Sequence, residues 1–117
     1  MSAAGRSIQV FGIYLMLLGL VLLVAPNLLL ALFGIAPTGE VWIRIVGMLA
    51  GFLGLYYTQA ARVCDRAFFR TTVFVRLSVP GFFGAFVALA MAPPALMLFA
   101  LIDVAGAAWT ASALRLD

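Results

Sequence analysis

One stretch of the chain, residues 41–62, is long and apolar enough to cross a lipid bilayer but carries groups that lipid does not solvate. About 20 apolar residues suffice for a helix to span the hydrocarbon core. Arginine and glycine recur here at helical spacings and so share one stripe of a helix: Arg44, Gly47, Gly51 and Gly54. Glycines on one stripe are typical of close helix packing in membranes, and an arginine beside them faces protein or water held by protein. The stretch therefore predicts an integral membrane bundle.

Composition supports a membrane protein and excludes several kinds of site. The 117 residues are 67% hydrophobic and 9% charged, whereas soluble proteins contain about 25% charged residues. The absence of histidine excludes imidazole-ligated haem, histidine zinc ligands and a histidine general base. The single cysteine, Cys64, cannot form an intramolecular disulfide. These absences lead us to expect no metal and no cofactor. We also expect no nucleic-acid partner, because the few arginines flank apolar segments and are better explained by membrane topology.

The order of the apolar segments predicts one all-α domain over residues 1–117, an integral membrane four-helix transmembrane bundle. The expected spans lie at about 8–25, 41–61, 71–92 and 95–113. Residues 27–34 are too short to span and too apolar for a solvated loop, so they predict a short interfacial helix after the first span. The alternative is an extension of the first helix that is kinked at Pro26.

The positions of the arginines predict the orientation of the bundle. Five of them lie at the two termini and in the second connection: Arg6, Arg62, Arg66, Arg70 and Arg115. A path with four spans puts these three regions on one side, while the opposite connections contain Glu40 and no arginine outside the helices. Cytoplasmic loops are enriched in arginine and lysine. We therefore expect a multi-pass protein of the bacterial inner (plasma) membrane with both termini in the cytoplasm.

Three ionisable residues fall inside the predicted spans: Arg44, Arg76 and Asp103. A charge near the middle of the bilayer costs roughly 2.5–3.5 kcal/mol on insertion scales, so Asp103 should have a partner. Helical side chains lean towards the N-terminus of their helix, which in this topology brings Asp103 towards Arg44 and takes Arg76 away from it. We favour an Arg44–Asp103 pair, with Arg76 extending to the cytoplasmic interface. The pair is either a structural ion pair that fixes helix register or the polar end of a ligand pocket.

Other polar side chains complete the set of candidate ligand-binding residues. Tyr57 and Gln59 lie where the second span meets the cytoplasmic interface, and anchoring in the interface is the simpler explanation for them. Tyr14, in the first span, is a candidate for the lining of a pocket. We expect no catalytic residue, because the sequence contains no recognisable nucleophile–base pair.

Several short motifs lie in the first half of the chain. They are Pro26-Asn27, Phe33-Gly34, Trp42-Ile43-Arg44 followed by Gly47, then Gly54-Leu55-Tyr56-Tyr57 and Ala60-Ala61-Arg62. Over about residues 10–62 this set resembles the small four-helix bacterial membrane proteins of the DoxX-like kind. The resemblance implies a four-helix membrane fold. The roles suggested for that group are those of accessory membrane subunits of redox or stress systems.

Two functions from different classes agree with these patterns. Our leading hypothesis is an accessory or scaffold protein, without catalysis of its own, whose glycine faces pack against copies of itself or a partner membrane protein. Leucine at Gly51 should then be poorly tolerated. The alternative is a small transporter or lipidic-ligand binder with a polar site at Arg44 and Asp103. The predicted partners are thus the lipid bilayer, a second copy or another membrane protein, and a lipid or other hydrophobic ligand.

Overall fold

The computed structural model describes residues 1–116 and is helical throughout, with short connections between the helices. The order of elements in this range is α1 (Ala3–Val24), α2 (Pro26–Leu32), α3 (Trp42–Val63), α4 (Arg66–Ala88), a 3₁₀ turn (Pro94–Leu96) and α5 (Met97–Leu116). Asp117, the end of the C-terminus that was predicted to be cytoplasmic, lies outside the described residues. The prediction of an all-α fold is confirmed.

Local chemistry sets the ends of the helices. The hydroxyl of Ser2 accepts a hydrogen bond from the backbone N–H of Gly5 at 2.9 Å, so that α1 begins before the expected position. Pro26 occupies the start of α2, where its missing N–H costs nothing, and makes the predicted short helix separate from α1. Asp65 caps α4 in the same way as Ser2 caps α1, and Cys64 before it is left-handed, with φ of 52°. A tight turn therefore reverses the chain between α3 and α4.

Three helical segments are long and apolar enough to cross a membrane: Ala3–Val24, Arg66–Ala88 and Pro94–Leu116. Their outward faces are apolar as well, since Leu20 is 58% exposed and Phe74 is 75% exposed. Together these features suggest a membrane protein. Helix α3 has 22 residues, as many as α1, but it is not among the three segments. Arg44 and the polar residues near its C-terminal end lower its mean hydropathy.

Helix α1 is the centre of the bundle. It packs along α3 on one side and against α5 on the other, and α5 in turn packs against α4. Helices α3 and α4 make little contact with each other within the described chain. They meet near the turn that joins them, where the rings of Tyr57 and Phe68 are 5.4 Å apart. The long helices therefore form an open arc in the order α3–α1–α5–α4, with a cleft between its two ends.

Glycines hold α1 against α3. A Cβ atom added to Gly19 would lie 2.5 Å from the carbonyl oxygen of Gly47, and one added to Gly54 would lie 2.6 Å from that of Gly12. These are backbone atoms, so the approach of the two helices requires glycine at these positions. The predicted glycine stripe is thus a packing seam, and the helix that fills it belongs to the same chain. Gly51 is an exception, because a Cβ atom there meets nothing within 4 Å. The structure gives no steric reason for the predicted intolerance of leucine at Gly51.

Candidate functional site

Arg76 of α4 is the one charged side chain that is buried inside the bundle among residues 1–116, with 2% of its surface exposed. Its Nε donates to the carbonyl oxygen of Thr72 at 3.2 Å. Its Nη2 donates to the hydroxyl oxygens of Thr72 at 3.0 Å and of Thr110 at 2.9 Å. The side chain leans towards the N-terminus of α4, as predicted. The prediction that it extends to the interface is wrong, because two threonines supply the hydrogen-bond acceptors that water would supply there.

The hydrogen bonds continue from Arg76 to a third helix. The hydroxyl oxygens of Thr110 and Ser7 are 2.7 Å apart, and the hydroxyl of Ser7 donates to the carbonyl oxygen of Ala4 at 2.7 Å. A hydroxyl has a single proton, so Thr110 must donate to Ser7. Arg76 donates at one end of this chain and the carbonyl oxygen of Ala4 accepts at the other, while the hydroxyls of Thr110 and Ser7 each accept one bond and donate the next, which strengthens the bonds cooperatively. The chain links α4, α5 and α1.

Aromatic rings cover the other side of the guanidinium group. The Cζ atom of Arg76 lies 4.7 Å from the ring centroid of Phe11 and 5.9 Å from that of Tyr57. Cation–π attraction of this kind contributes about 2 kcal/mol or more when the pair is shielded from water. A Cβ atom at Gly106 would lie 2.7 Å from the ring of Phe11 and 3.0 Å from Nη1 of Arg76. Gly106 therefore makes room for both groups, and Nη1 is left without a hydrogen-bond acceptor.

Arg44 and Asp103 do not form the predicted pair within the described chain. Arg44 is exposed, and its Nη1 donates to the carbonyl oxygens of Leu23 and Val24. The last carbonyl groups of a helix lack partners in that helix and form the negative end of its dipole. Arg44 thus caps the C-terminus of α1, a role that depends on where the neighbouring helix ends. Asp103 is half-buried and experiences instead the attraction of Arg76, at a longer range than a contact ion pair.

A cavity of about 220 Å³ lies between the helices beside Asp103. Its only polar side chains within the described range are Tyr14 and Asp103, and its walls are leucine, isoleucine, valine and phenylalanine from all five α-helices and their connections. Leu18 and Leu22 of α1 form one wall, and Phe83 of α4 lies across the cleft from α3. The open arc of helices is therefore the reason that the cavity exists.

Helix α2 and the segment after it cover one end of the cavity. Leu29 and Leu30 of α2 line it, and the ring of Phe33 packs 4.6 Å from that of Phe99 on α5. The side chain of Asn27 ties α2 to the segment that follows it. It donates to the carbonyl oxygen of Thr38 at 3.1 Å and accepts from the N–H of Thr38 at 2.9 Å. The predicted short helix is thus one wall of the site.

The remaining predicted site residues divide between these two regions. Tyr14 lies beside the cavity, and its ring is 5.3 Å from that of Phe11. Tyr57 is buried around Arg76 and does not reach the cavity. Gln59 is exposed and takes no part in either region. The structure therefore brings Tyr14, Asp103, Arg76 and Tyr57 to the bundle interior.

Sequence reasoning missed the hydroxyl groups around Arg76. A signal existed for Thr72, which stands four residues before Arg76 in the direction in which a helical side chain leans. Thr110 shares a helix face with Asp103, but that pattern fits either a structural ion pair or a ligand pocket and does not indicate Arg76 as the partner of Thr110. Nothing in the sequence indicated Ser7, because its partner stands 103 residues away along the chain.

Comparison with known proteins adds no family to this description. No family model matches the chain, and searches among curated proteins and solved structures found no significant match. The resemblance to DoxX-like proteins stays a prediction, so the function has to be argued from the geometry of the site.

Proposed function

We propose that this protein binds a small, membrane-soluble apolar molecule that carries one polar group. The supporting observation is the cavity of about 220 Å³ with apolar walls and two polar side chains, Tyr14 and Asp103. Sites for small molecules commonly combine apolar walls with a few placed polar groups. An apolar cavity of about 150 Å³ accommodates benzene, so a molecule with two fused rings is of a suitable size here.

The charges around the cavity favour a neutral polar group in the ligand. Asp103 places a carboxyl group at its edge, and Arg76, whose positive charge acts on that carboxyl group, does not line the cavity. The charges of an aspartate and an arginine offset each other, so neither a cationic nor an anionic ligand gains much affinity from them. A ligand hydroxyl can donate to the carboxylate of Asp103, and a ligand carbonyl can accept from the hydroxyl of Tyr14. We therefore propose an alcohol, phenol or quinone-like molecule as the ligand class.

The membrane arrangement that we propose has four spans, with α3 as the second. Helix α3 runs antiparallel to α1 and contacts it along its length, since Gly5 meets Ala61, Gly12 meets Gly54 and Gly19 meets Gly47. Because α1 is apolar enough to span, a helix packed along its length occupies the same depth of the bilayer. The arginines at both termini and at the α3–α4 turn support cytoplasmic termini in a bacterial inner membrane.

Cysteine labelling in cells tests this topology. In a chain with Cys64 replaced by serine, we expect cysteines at Ser2 and Asp65 to react with a membrane-impermeant maleimide only after permeabilisation. Cysteines at Thr38 and Pro94 should react in intact cells. Labelling of Thr38 only from the cytoplasmic side, or a mixture of both orientations, would contradict the proposed arrangement.

Binding of 2-naphthol to the detergent-solubilised protein tests the ligand site. We expect one 2-naphthol molecule per chain in native mass spectra and a higher melting temperature in its presence. Leu18→Trp fills part of the cavity, because Leu18 lines it. We expect the affinity to fall about tenfold, which corresponds to a loss of about 1.4 kcal/mol of binding free energy. Leu17→Trp is the matched control, because the adjacent Leu17 is 60% exposed and points away from the cavity. Equal binding by both variants would show that 2-naphthol dissolves in the detergent instead.

The polar end of the site is tested by comparing 2-naphthol with naphthalene. The hydroxyl group should raise the affinity about fivefold, since a net hydrogen bond contributes about 1 kcal/mol. Asp103→Leu removes the acceptor and should abolish that preference while naphthalene still binds. A preference that survives Asp103→Leu would place the polar contact elsewhere.

An accessory or scaffold role is the second candidate function. Gly81 and Gly84 of α4 favour it, because a Cβ atom at either position meets nothing within 4 Å and Phe82 between them is 63% exposed. Such a face lets the backbone of another helix approach closely. The native mass spectra discriminate between the two functions. A scaffold should appear as two or more chains, or with another protein, whereas the proposed binder needs only one chain and one naphthol.

A further inference from the structure

A groove of about 290 Å³, separate from the cavity beside Asp103, lies between α4 and α5 at the end of the bundle that holds both termini. Three arginines line it: Arg66 and Arg70 from the first turns of α4, and Arg115 from the last turn of α5. The rest of the groove is apolar and includes Phe74. We propose that this groove binds the phosphate headgroup of an anionic phospholipid, with an acyl chain lying along its apolar part.

The arginines carry the phosphate end of this proposal. Arg70 and Arg115 are exposed, and within the described residues neither guanidinium group has a hydrogen-bond or ion-pair partner. Arg66 is held in place across the groove, where its Nη2 donates to the carbonyl oxygen of Leu114 at 3.3 Å. Guanidinium groups match the geometry of phosphate oxygens. Basic pockets between membrane helices at the cytoplasmic face are a recurrent site for anionic lipid headgroups.

The apolar part of the groove decides between a lipid and a free phosphate ion. Val73 and Phe74 lie one turn further along α4 from Arg70, and Phe74 is 75% exposed. Both helices are long and apolar enough to span, so this turn faces the hydrocarbon when the arginines lie at the headgroup level. An inorganic phosphate ion has no apolar part that could be buried on such a surface. A phospholipid uses both ends, and the groove joins them in one continuous site.

The experiment measures lipid binding by the full-length protein in detergent. Phosphatidylglycerol, phosphatidylcholine and inorganic phosphate are added separately, and binding is followed by native mass spectrometry and by melting temperature. We expect phosphatidylglycerol to bind more tightly than phosphatidylcholine, and inorganic phosphate to have little effect. Arg70→Gln and Arg115→Gln should each lower the affinity for phosphatidylglycerol about fivefold, which corresponds to about 1 kcal/mol per arginine near a membrane surface.

Arg62→Gln is the matched control for general charge attraction. Arg62 is exposed at the same end of the bundle and loses the same charge on substitution, but it does not line the groove. Its substitution should change the affinity for phosphatidylglycerol less than about twofold if recognition depends on the groove. An equal loss with Arg62→Gln would overturn the proposed site, and so would equal stabilisation by inorganic phosphate. If Arg70→Gln does not fold, Arg115→Gln against Arg62→Gln decides the same question.

Discussion

Alanine at Gly54 is expected to lower the stability of the protein, whereas alanine at Gly51 on the same helix should be neutral or stabilising. A Cβ atom at Gly54 would lie 2.6 Å from the carbonyl oxygen of Gly12 and 2.9 Å from the backbone nitrogen of Met16. Because both are backbone atoms, α1 and α3 have to move apart, and such overpacking costs about 1–3 kcal/mol. A Cβ atom at Gly51 meets nothing within 4 Å, so alanine there gains up to about 1 kcal/mol of helix propensity.

The measurement is the melting temperature of both variants in the same mild detergent. Each variant makes the same chemical change in the same helix, so the difference between them isolates the contact with α1. We expect the Gly51 variant to melt at or above the temperature of the unsubstituted protein and the Gly54 variant to melt several degrees below the Gly51 variant, since about 1 kcal/mol shifts the melting temperature of a small domain by roughly 4–8 °C. Identical shifts would mean that α1 does not occupy the glycine stripe of α3.

Valine at Thr110 should destabilise the bundle by about 1–3 kcal/mol, because a buried donor left without its acceptor costs that amount. The substitution keeps the shape of the side chain but removes the hydroxyl that accepts from Arg76 at 2.9 Å and lies 2.7 Å from Ser7. Nη1 of Arg76 already lacks an acceptor, so the guanidinium group would retain only its bonds to Thr72. Unfolding curves in denaturant or heat measure the loss.

Thr71→Val is the matched control for this substitution. Thr71 is exposed, and its hydroxyl donates only to the carbonyl oxygen of Ala67 within its own helix, at 3.0 Å. Its replacement should change the free energy of unfolding by less than about 0.5 kcal/mol, as is usual for surface positions. Thr110→Ser retains the hydroxyl and should recover most of the loss. If Thr110→Val were as mild as Thr71→Val, the hydrogen bonds around Arg76 would not contribute to holding α4, α5 and α1 together.

The buried Arg76 shows which features of the site could be predicted from the sequence and which could not. The direction in which Arg76 leans was predicted correctly, because the Cα–Cβ bond of any helical residue points towards the helix N-terminus. Its burial was not predicted, because the acceptor on Thr110 comes from a helix whose rotation is unknown from sequence. Arg44 was given the wrong partner for a related reason. Its acceptors are backbone carbonyls at the end of α1, and backbone groups are the same in every sequence.

The sequence by itself determined the elements of this protein. Apolar content and the residues at the breaks decided that the chain is helical, that the first helix is interrupted at Pro26 and that the chain reverses between α3 and α4. These features depend on the backbone and on neighbours a few residues away.

Only the tertiary structure decided what each helix face meets. The glycine stripe of α3 suits a partner helix of any origin, and the fold fills it with α1 of the same chain. Asp103 requires some polar surroundings, and the open arc of helices gives it a cavity and the distant charge of Arg76. The physical reason is that apolar helices fit together in several rotations and orders of similar energy in a membrane. A few close backbone contacts and buried hydrogen bonds, scattered along the chain, select one of them.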